Sequence, residues 1–271
     1  MLSQPGDVIL ASEYTYTGIL VNPKAQGRVI ESVALDSNGM IPKSLDSTCQ
    51  RLRDAGKVVR IVYLIPTGQN PTGTTMSLVR RKEILNVCRK HDLVVIEDDP
   101  YFFLNLPQVS TPVPSMFSLD TDGRVVRLDS FSKTVAPGFR LGWVSASKAF
   151  MAKFDALSQV MTWSASGISQ SVLLAILSEW GEKGFESQIK KLCETYTRRR
   201  DLLLRAMEKH LSDLATWTCP SAGMFVWIRI NGAKDTREEN LINAMLKAKI
   251  VMVPGGSFQP DTTCYCPYFR A

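Results

Sequence analysis

The chain has 271 residues, 45% of them hydrophobic, and a formal charge of +6, enough length and apolar content for a large buried core. No apolar run reaches the roughly 18 residues of a membrane span, and "MLSQPGDVIL" lacks the basic-then-apolar pattern of a secretory signal. The basic residues are interleaved with acids, as in "RRKEILNVCRKHD", so they read as solvated helix faces rather than a track for nucleic acid.

In chain order, "DVILAS" (7–12), "RVIESVAL" (28–35), "VVRIVYLIP" (58–66), "LVVIEDD" (93–99), "RVVRLDS" (124–130) and "LGWVSAS" (141–147) predict strands. Between them, "SLDSTCQRLRDAG", "SLVRRKEILNVCRKH" and "SKAFMAKFDALSQV" carry apolar residues at helical spacing, the first stopped by Gly56. Alternating strand and helix predicts an α/β fold, a mainly parallel sheet covered by helices on both faces. Beyond residue 148 two long helical stretches follow, 168–184 and 185–211. A strand pair in "TWTCPSAGMFVWIRI", a helix near 236–248 and a strand in "IVMVPGG" complete the chain. This division predicts a large domain over 1–189 and a smaller α+β domain over 190–271.

The six cysteines are scattered. A disulfide framework is not expected, a reducing compartment fits, and Cys264 and Cys266 lack partners to complete a metal set. His91 and His210 each end a charged helical segment and are expected at the surface.

Ligands in open α/β sheets bind beyond the carboxyl ends of the strands, and three strands end in unusual polar residues. One runs into "TGQNPTG" with Asn70, one into Asp98, Asp99 and Tyr101, and one into "DSFSK" with Ser130, Ser132 and Lys133. Each has a bland reading: a proline-glycine turn, a helix cap, a common serine-lysine string. Their joint occurrence at successive strand ends is the kind of convergence that marks an active site.

The ordered set "GQNPTG", "EDDPYFF", "DSFSK" followed by "GFRLGW", "PSAGMFVWI" and "PYFRA" resembles the class I aminotransferases of pyridoxal phosphate fold type I. It lies nearest the aromatic, 2-aminoadipate and kynurenine subgroup. The resemblance implies pyridoxal 5'-phosphate as cofactor, amino acid and 2-oxo acid substrates, and a homodimer in the full-length form. It makes Lys133 the lysine that holds the cofactor and moves the substrate's proton, and Asp98 the carboxylate facing the ring nitrogen. Asn70 and Tyr101 become donors to the phenolic oxygen, with Asn70 also near the substrate. Ser130, Ser132 and Arg140 become phosphate ligands, Tyr16 the stacking aromatic, and Arg270 the fork for the substrate carboxylate. No metal, nucleic acid or membrane partner is implied.

The residue types suit that chemistry. Arg140 and Arg270 offer planar forks for phosphate and carboxylate, and Asp98 would favour a protonated ring nitrogen. The Asn70–Pro71 bond is expected to be cis, aiming Asn70 into the crevice. Phe102 and Phe103 are expected either to offer apolar surface beside Tyr101 or to pack in the core.

Against the family pattern, the sequence starts inside the large domain and stops just after Arg270. It reads as shortened at both ends, and as a piece expected to hold the cofactor weakly and to show little activity by itself. Two other readings remain: a non-catalytic regulator that binds the cofactor, and an inactive paralogue. The cytoplasm is the expected compartment, the mitochondrion staying open.

Overall fold

A computed structural model describes residues 2–107, 112–232, 238–261 and 266–271. The chain runs from β1 (Val8–Ser12) through α1 (Thr17–Ala25), β2 (Val29–Val33) and a small ribbon of β3 (Leu35–Asp36) and β4 (Gly39–Met40). Then come α2 (Pro42–Asp54), β5 (Val59–Leu64), α3 (Leu78–Lys90), β6 (Val94–Asp98), α4 (Met116–Leu119), β7 (Val125–Ser130) and β8 (Gly142–Ser145). These build a six-stranded sheet in the order β2-β1-β5-β6-β7-β8. The first five strands pair in parallel and β8 closes the edge antiparallel to β7.

Side-chain alternation divides the core between the two faces. On one face Val8, Leu10, Val62, Leu64, Val95 and Val125 meet Leu45, Cys49 and Leu52 of α2 and Ile84, Leu85 and Cys88 of α3. On the other, Ile9, Ala11 and Ile61 pack against Leu20 of α1. Fully burying each Leu, Ile or Val contributes about 1.5–3 kcal/mol, which makes this two-sided burial the main support of the sheet. Local signals set the helix limits. Pro42 opens α2, the Ser77 hydroxyl accepts from the Arg80 N–H at 3.3 Å to cap α3, and Gly56, at φ +70°, turns the chain after α2.

Helices α5 (Lys148–Met161) and α6 (Gly167–Leu211) follow. The expected break near residue 184 is found at Gly181, whose φ of 56° and ψ of −169° kink α6, so one bent helix replaces two. After it, β9 (Ala215–Trp217), β10 (Trp227–Ile230), α7 (Glu238–Lys247), β11 (Val253–Pro254) and β12 (Tyr268–Arg270) supply a second sheet, β11-β12-β10-β9, antiparallel throughout. The first residues of the helix expected near 236–248, and Cys264, lie outside the described residues.

Two expectations need correction. Helix α1 was not expected, because Pro23 lies inside it and its apolar pattern is weak. It forms because Leu20 reaches the sheet. His91 is not at the surface: it is 2% exposed, with Nε2 2.5 Å from Asp46 Oδ1 on α2. The turn after α3, with Asp92 at φ +46°, follows a helix that packs against α2, so the last residue of a charged segment ends up between two helices. His210 is exposed as expected. No helix among the described residues is long and apolar enough to cross a membrane.

Candidate active site

The carboxyl ends of β5, β6 and β7 converge on one cavity of about 430 Å³. All nine residues to which the resemblance gives a role line it: Tyr16, Asn70, Asp98, Tyr101, Ser130, Ser132, Lys133, Arg140 and Arg270. Ile65, Met224 and Phe225 add apolar wall. Each polar group arrives for a local reason.

Asn70 sits in a buried loop after β5, and its bond to Pro71 is cis, as expected. The loop closes on itself through Gly73 N–H to the Gln69 carbonyl (2.6 Å) and Thr72 N–H to Gln69 Oε1 (2.8 Å). Gln69 Nε2 also donates to the Tyr14 carbonyl at 2.6 Å. Gly68 has φ +52°, and a Cβ there would stand 2.7 Å from the Gly223 backbone, so only glycine allows this loop to press against the 220–226 segment.

Asp98 and Asp99 end up on opposite sides of the sheet. Strand alternation turns Asp98 toward the cavity and buries Glu97 and Asp99 behind it. Asp98 accepts a hydrogen bond from the Tyr63 hydroxyl. Burial pushes its carboxyl above the ordinary value, the Tyr63 bond opposing the shift and the Asp129 charge adding to it.

Ser130 ends β7, where its hydroxyl accepts from the Ser132 N–H at 3.1 Å and caps a short 3-10 turn, Phe131–Lys133. That turn sets Lys133 on the cavity wall. Arg140 follows a second such turn in left-handed conformation, φ +51°, with Nη1 donating to the Pro137 carbonyl at 3.3 Å. Arg270 comes from the end of β12. Its Nη1 donates to Asn70 Oδ1 at 2.8 Å, and its guanidinium stacks on Phe225 (4.5 Å) and Phe258 (4.9 Å). Burial pulls the Arg270 guanidinium below its ordinary value. Burial first, and then the charge of Asp98, raise the Tyr101 phenol. Among the described residues, no carboxylate pairs with Lys133, Arg140 or Arg270. Among the described residues the cavity thus gathers three cations around a single carboxylate, a charge pattern suited to an anionic ligand carrying one cationic group.

Two features were not anticipated. Tyr63 is the first. The second is a buried ionic cluster behind the cavity: Arg127 grips Asp129 through two 2.7 Å bonds and stands 3.5 Å from Glu97 and 3.6 Å from Asp99. Beside it, Arg81, fully buried, donates to the Pro66, Met76 and Pro114 carbonyls and to Thr67 Oγ1, so it braces the Asn70 loop. The signal for the cluster was present in the three consecutive acids of "VVIEDD", which cannot all be solvated at the end of a central strand. For Phe102 and Phe103, the packing alternative holds. They do not line the cavity. Phe103 packs edge-on against Phe185 of α6, and Phe102 lies under the Arg127 guanidinium at 4.4 Å.

The comparisons with known proteins agree with this architecture. The chain is 37% identical over 278 residues to the mouse kynurenine/alpha-aminoadipate aminotransferase, mitochondrial, covering 100% of this chain and 64% of that protein. An aromatic amino acid aminotransferase of Schizosaccharomyces pombe is 40% identical over 253 residues, covering 85% of this chain and 52% of that one. The crystal structure of the Pyrococcus horikoshii kynurenine aminotransferase, in complex with PMP, KYN as substrates and KYA as products, superposes with a TM-score of 0.91. It shares 30% identity and covers 99% of this chain and 65% of that one. The chain therefore spans less than two thirds of these relatives, and its sheet is that of the fold type I aminotransferases. A family model described as aminotransferase class I and II matches residues 1–264, and the chain belongs to that family.

Proposed function

We propose that the whole protein transfers an amino group from a large amino acid (aromatic, kynurenine or 2-aminoadipate) to a 2-oxo acid such as 2-oxoglutarate, using pyridoxal 5'-phosphate. The observation that carries this reading is the cavity itself, where three cations without carboxylate partners among the described residues surround one half-buried acid. The residues fit the cofactor. Arg140, Ser130 and Ser132 would take its phosphate, Asp98 its ring nitrogen, and Asn70 and Tyr101 its phenolic oxygen, with Tyr16 against the ring. Asp98 has a carboxyl that burial disfavours as an anion, and a cationic ring nitrogen is the group that would restore its charge. When bound, the cofactor supplies an electron sink for negative charge at the substrate's α-carbon and carries the amino group.

The chain's own residues supply the rest. Lys133 would tether the cofactor and, once freed by substrate, take the proton from the α-carbon through Nζ. Arg270 would hold the substrate's α-carboxylate, with Asn70 keeping the guanidinium in place. Ile65, Met224 and Phe225 would meet a large side chain. The proposal includes a large domain over 1–189 and a smaller one over 190–271, and residence in the cytoplasm. It also includes a homodimer, which the exposed Val160, Met161, Trp163, Ile168 and Leu174 support as apolar surface needing cover.

A panel of donors tests the substrate class. With 2-oxoglutarate as acceptor, kcat/KM for phenylalanine, kynurenine or 2-aminoadipate is expected to exceed that for alanine and aspartate. The reverse order would refute the assignment. Arg270→Lys is expected to raise the donor KM roughly 10- to 100-fold with a smaller change in kcat, because an ammonium cannot reproduce the bidentate fork. Unchanged KM for every donor would remove Arg270 from the substrate site.

A further inference from the structure

We propose that Tyr63 is a positioning residue that holds Asp98 as an oriented carboxylate toward the cofactor's ring nitrogen; this rests on the reading of Asp98 given above. Strands β5 and β6 are parallel neighbours with Tyr63 opposite Ile96. Asp98, two residues further along β6, therefore lies on the same face as Tyr63, within diagonal reach. The Tyr63 hydroxyl donates to Asp98 Oδ2, and it is the sole hydrogen-bond partner of that carboxylate among the described residues. With Oδ2 engaged, Oδ1 is left for the cavity.

A buried tyrosine hydroxyl needs an acceptor in any case. What singles out Tyr63 is that its acceptor is, among the described residues, the one carboxylate lining the cavity. The ring is 4% exposed and packed with Ile65, Tyr101 and Leu104, so its position is set by the core and cannot drift with ligand. Burial, and then the Asp98 charge, raise the Tyr63 phenol well above its ordinary value, so it stays a donor at any working pH. Burial pushes Asp98 toward protonation as well, and Asp129 adds to that; the Tyr63 bond is the contact that opposes it. A weaker base at Asp98 leaves the proton on the ring nitrogen, where it makes the ring a better electron sink.

The test compares binding of pyridoxamine 5'-phosphate, which forms no bond to Lys133, with its analogue carrying CH in place of the ring nitrogen, in the full-length protein. The parent is expected to prefer the nitrogen ring. In Tyr63→Phe, which keeps the packing, that preference should fall roughly 10-fold while affinity for the analogue stays unchanged. In an Asp98→Asn background, Tyr63→Phe should change the preference no further. An undiminished preference, an equal loss for both ligands, or a further fall in the Asp98→Asn background would overturn the role of Tyr63. A parent that binds both ligands equally would overturn the reading of Asp98 itself, and the role of Tyr63 with it.

Discussion

Lys133→Ala is expected to lower amino-group transfer by roughly 10⁴-fold or more, since on the proposed roles one substitution would remove both the covalent tether and the group that moves the α-proton. The phosphate ligands proposed here, Ser130, Ser132 and Arg140, lie on the same wall but do not depend on that amine. Cofactor binding should therefore persist in noncovalent form. Turnover with 2-oxoglutarate, together with the visible absorbance of cofactor held on a lysine, checks both halves of the expectation. Activity within tenfold of the parent would eliminate Lys133 as the proton carrier.

The second large effect concerns stability. Arg127→Met is expected to cost about 3–5 kcal/mol at neutral pH, because it strands charged partners inside the protein. The side chains of Glu97 and Asp99 are both 0% exposed, and Asp129 would lose a bidentate partner. The cost should shrink as pH falls, for the following reason. Burial first, and then the charge of Glu97, push the Asp99 carboxyl from 3.8 up to about 7. Between those values the native chain binds a proton that the unfolded chain has released, so stability falls as pH rises through the window. Removing a nearby cation raises the native value further and extends the window upward. Urea unfolding at about pH 5 and about pH 8 would read the difference. Equal midpoints for parent and variant at both pH values would show that Arg127 does not neutralise this cluster.

Much of the site was legible because strand ends announce themselves. A β-branched run that stops at Asn, Asp or Ser-x-Ser-Lys marks where backbone alternation gives way to a loop. In a parallel sheet those ends lie at one edge. The sheet strands were readable for the same reason: Val59–Leu64 and Val94–Asp98 are short apolar runs bounded by glycine, asparagine or aspartate. Periodicity also placed α2, α3 and α5. It failed at α1, whose helix depends on packing rather than on pattern. It failed again at β12, three residues long and held by β10 and β11 on its two sides.

What the amino-acid order determined by itself is therefore local: which segments alternate, which helices stop at which glycine, and which polar residues stand at strand ends. Pairings across the chain needed the tertiary structure. Arg270 meets Asn70 across 200 residues of sequence, and Tyr63 meets Asp98 only because β5 lies beside β6 in one register. His91, expected at the surface, and Arg127, given no role by its sequence, follow the same rule: packing buried each against a partner. The physical reason is that burial is a property of neighbours. Period and propensity report how a residue sits relative to its own backbone, whereas strand order and register decide which distant side chain stands opposite.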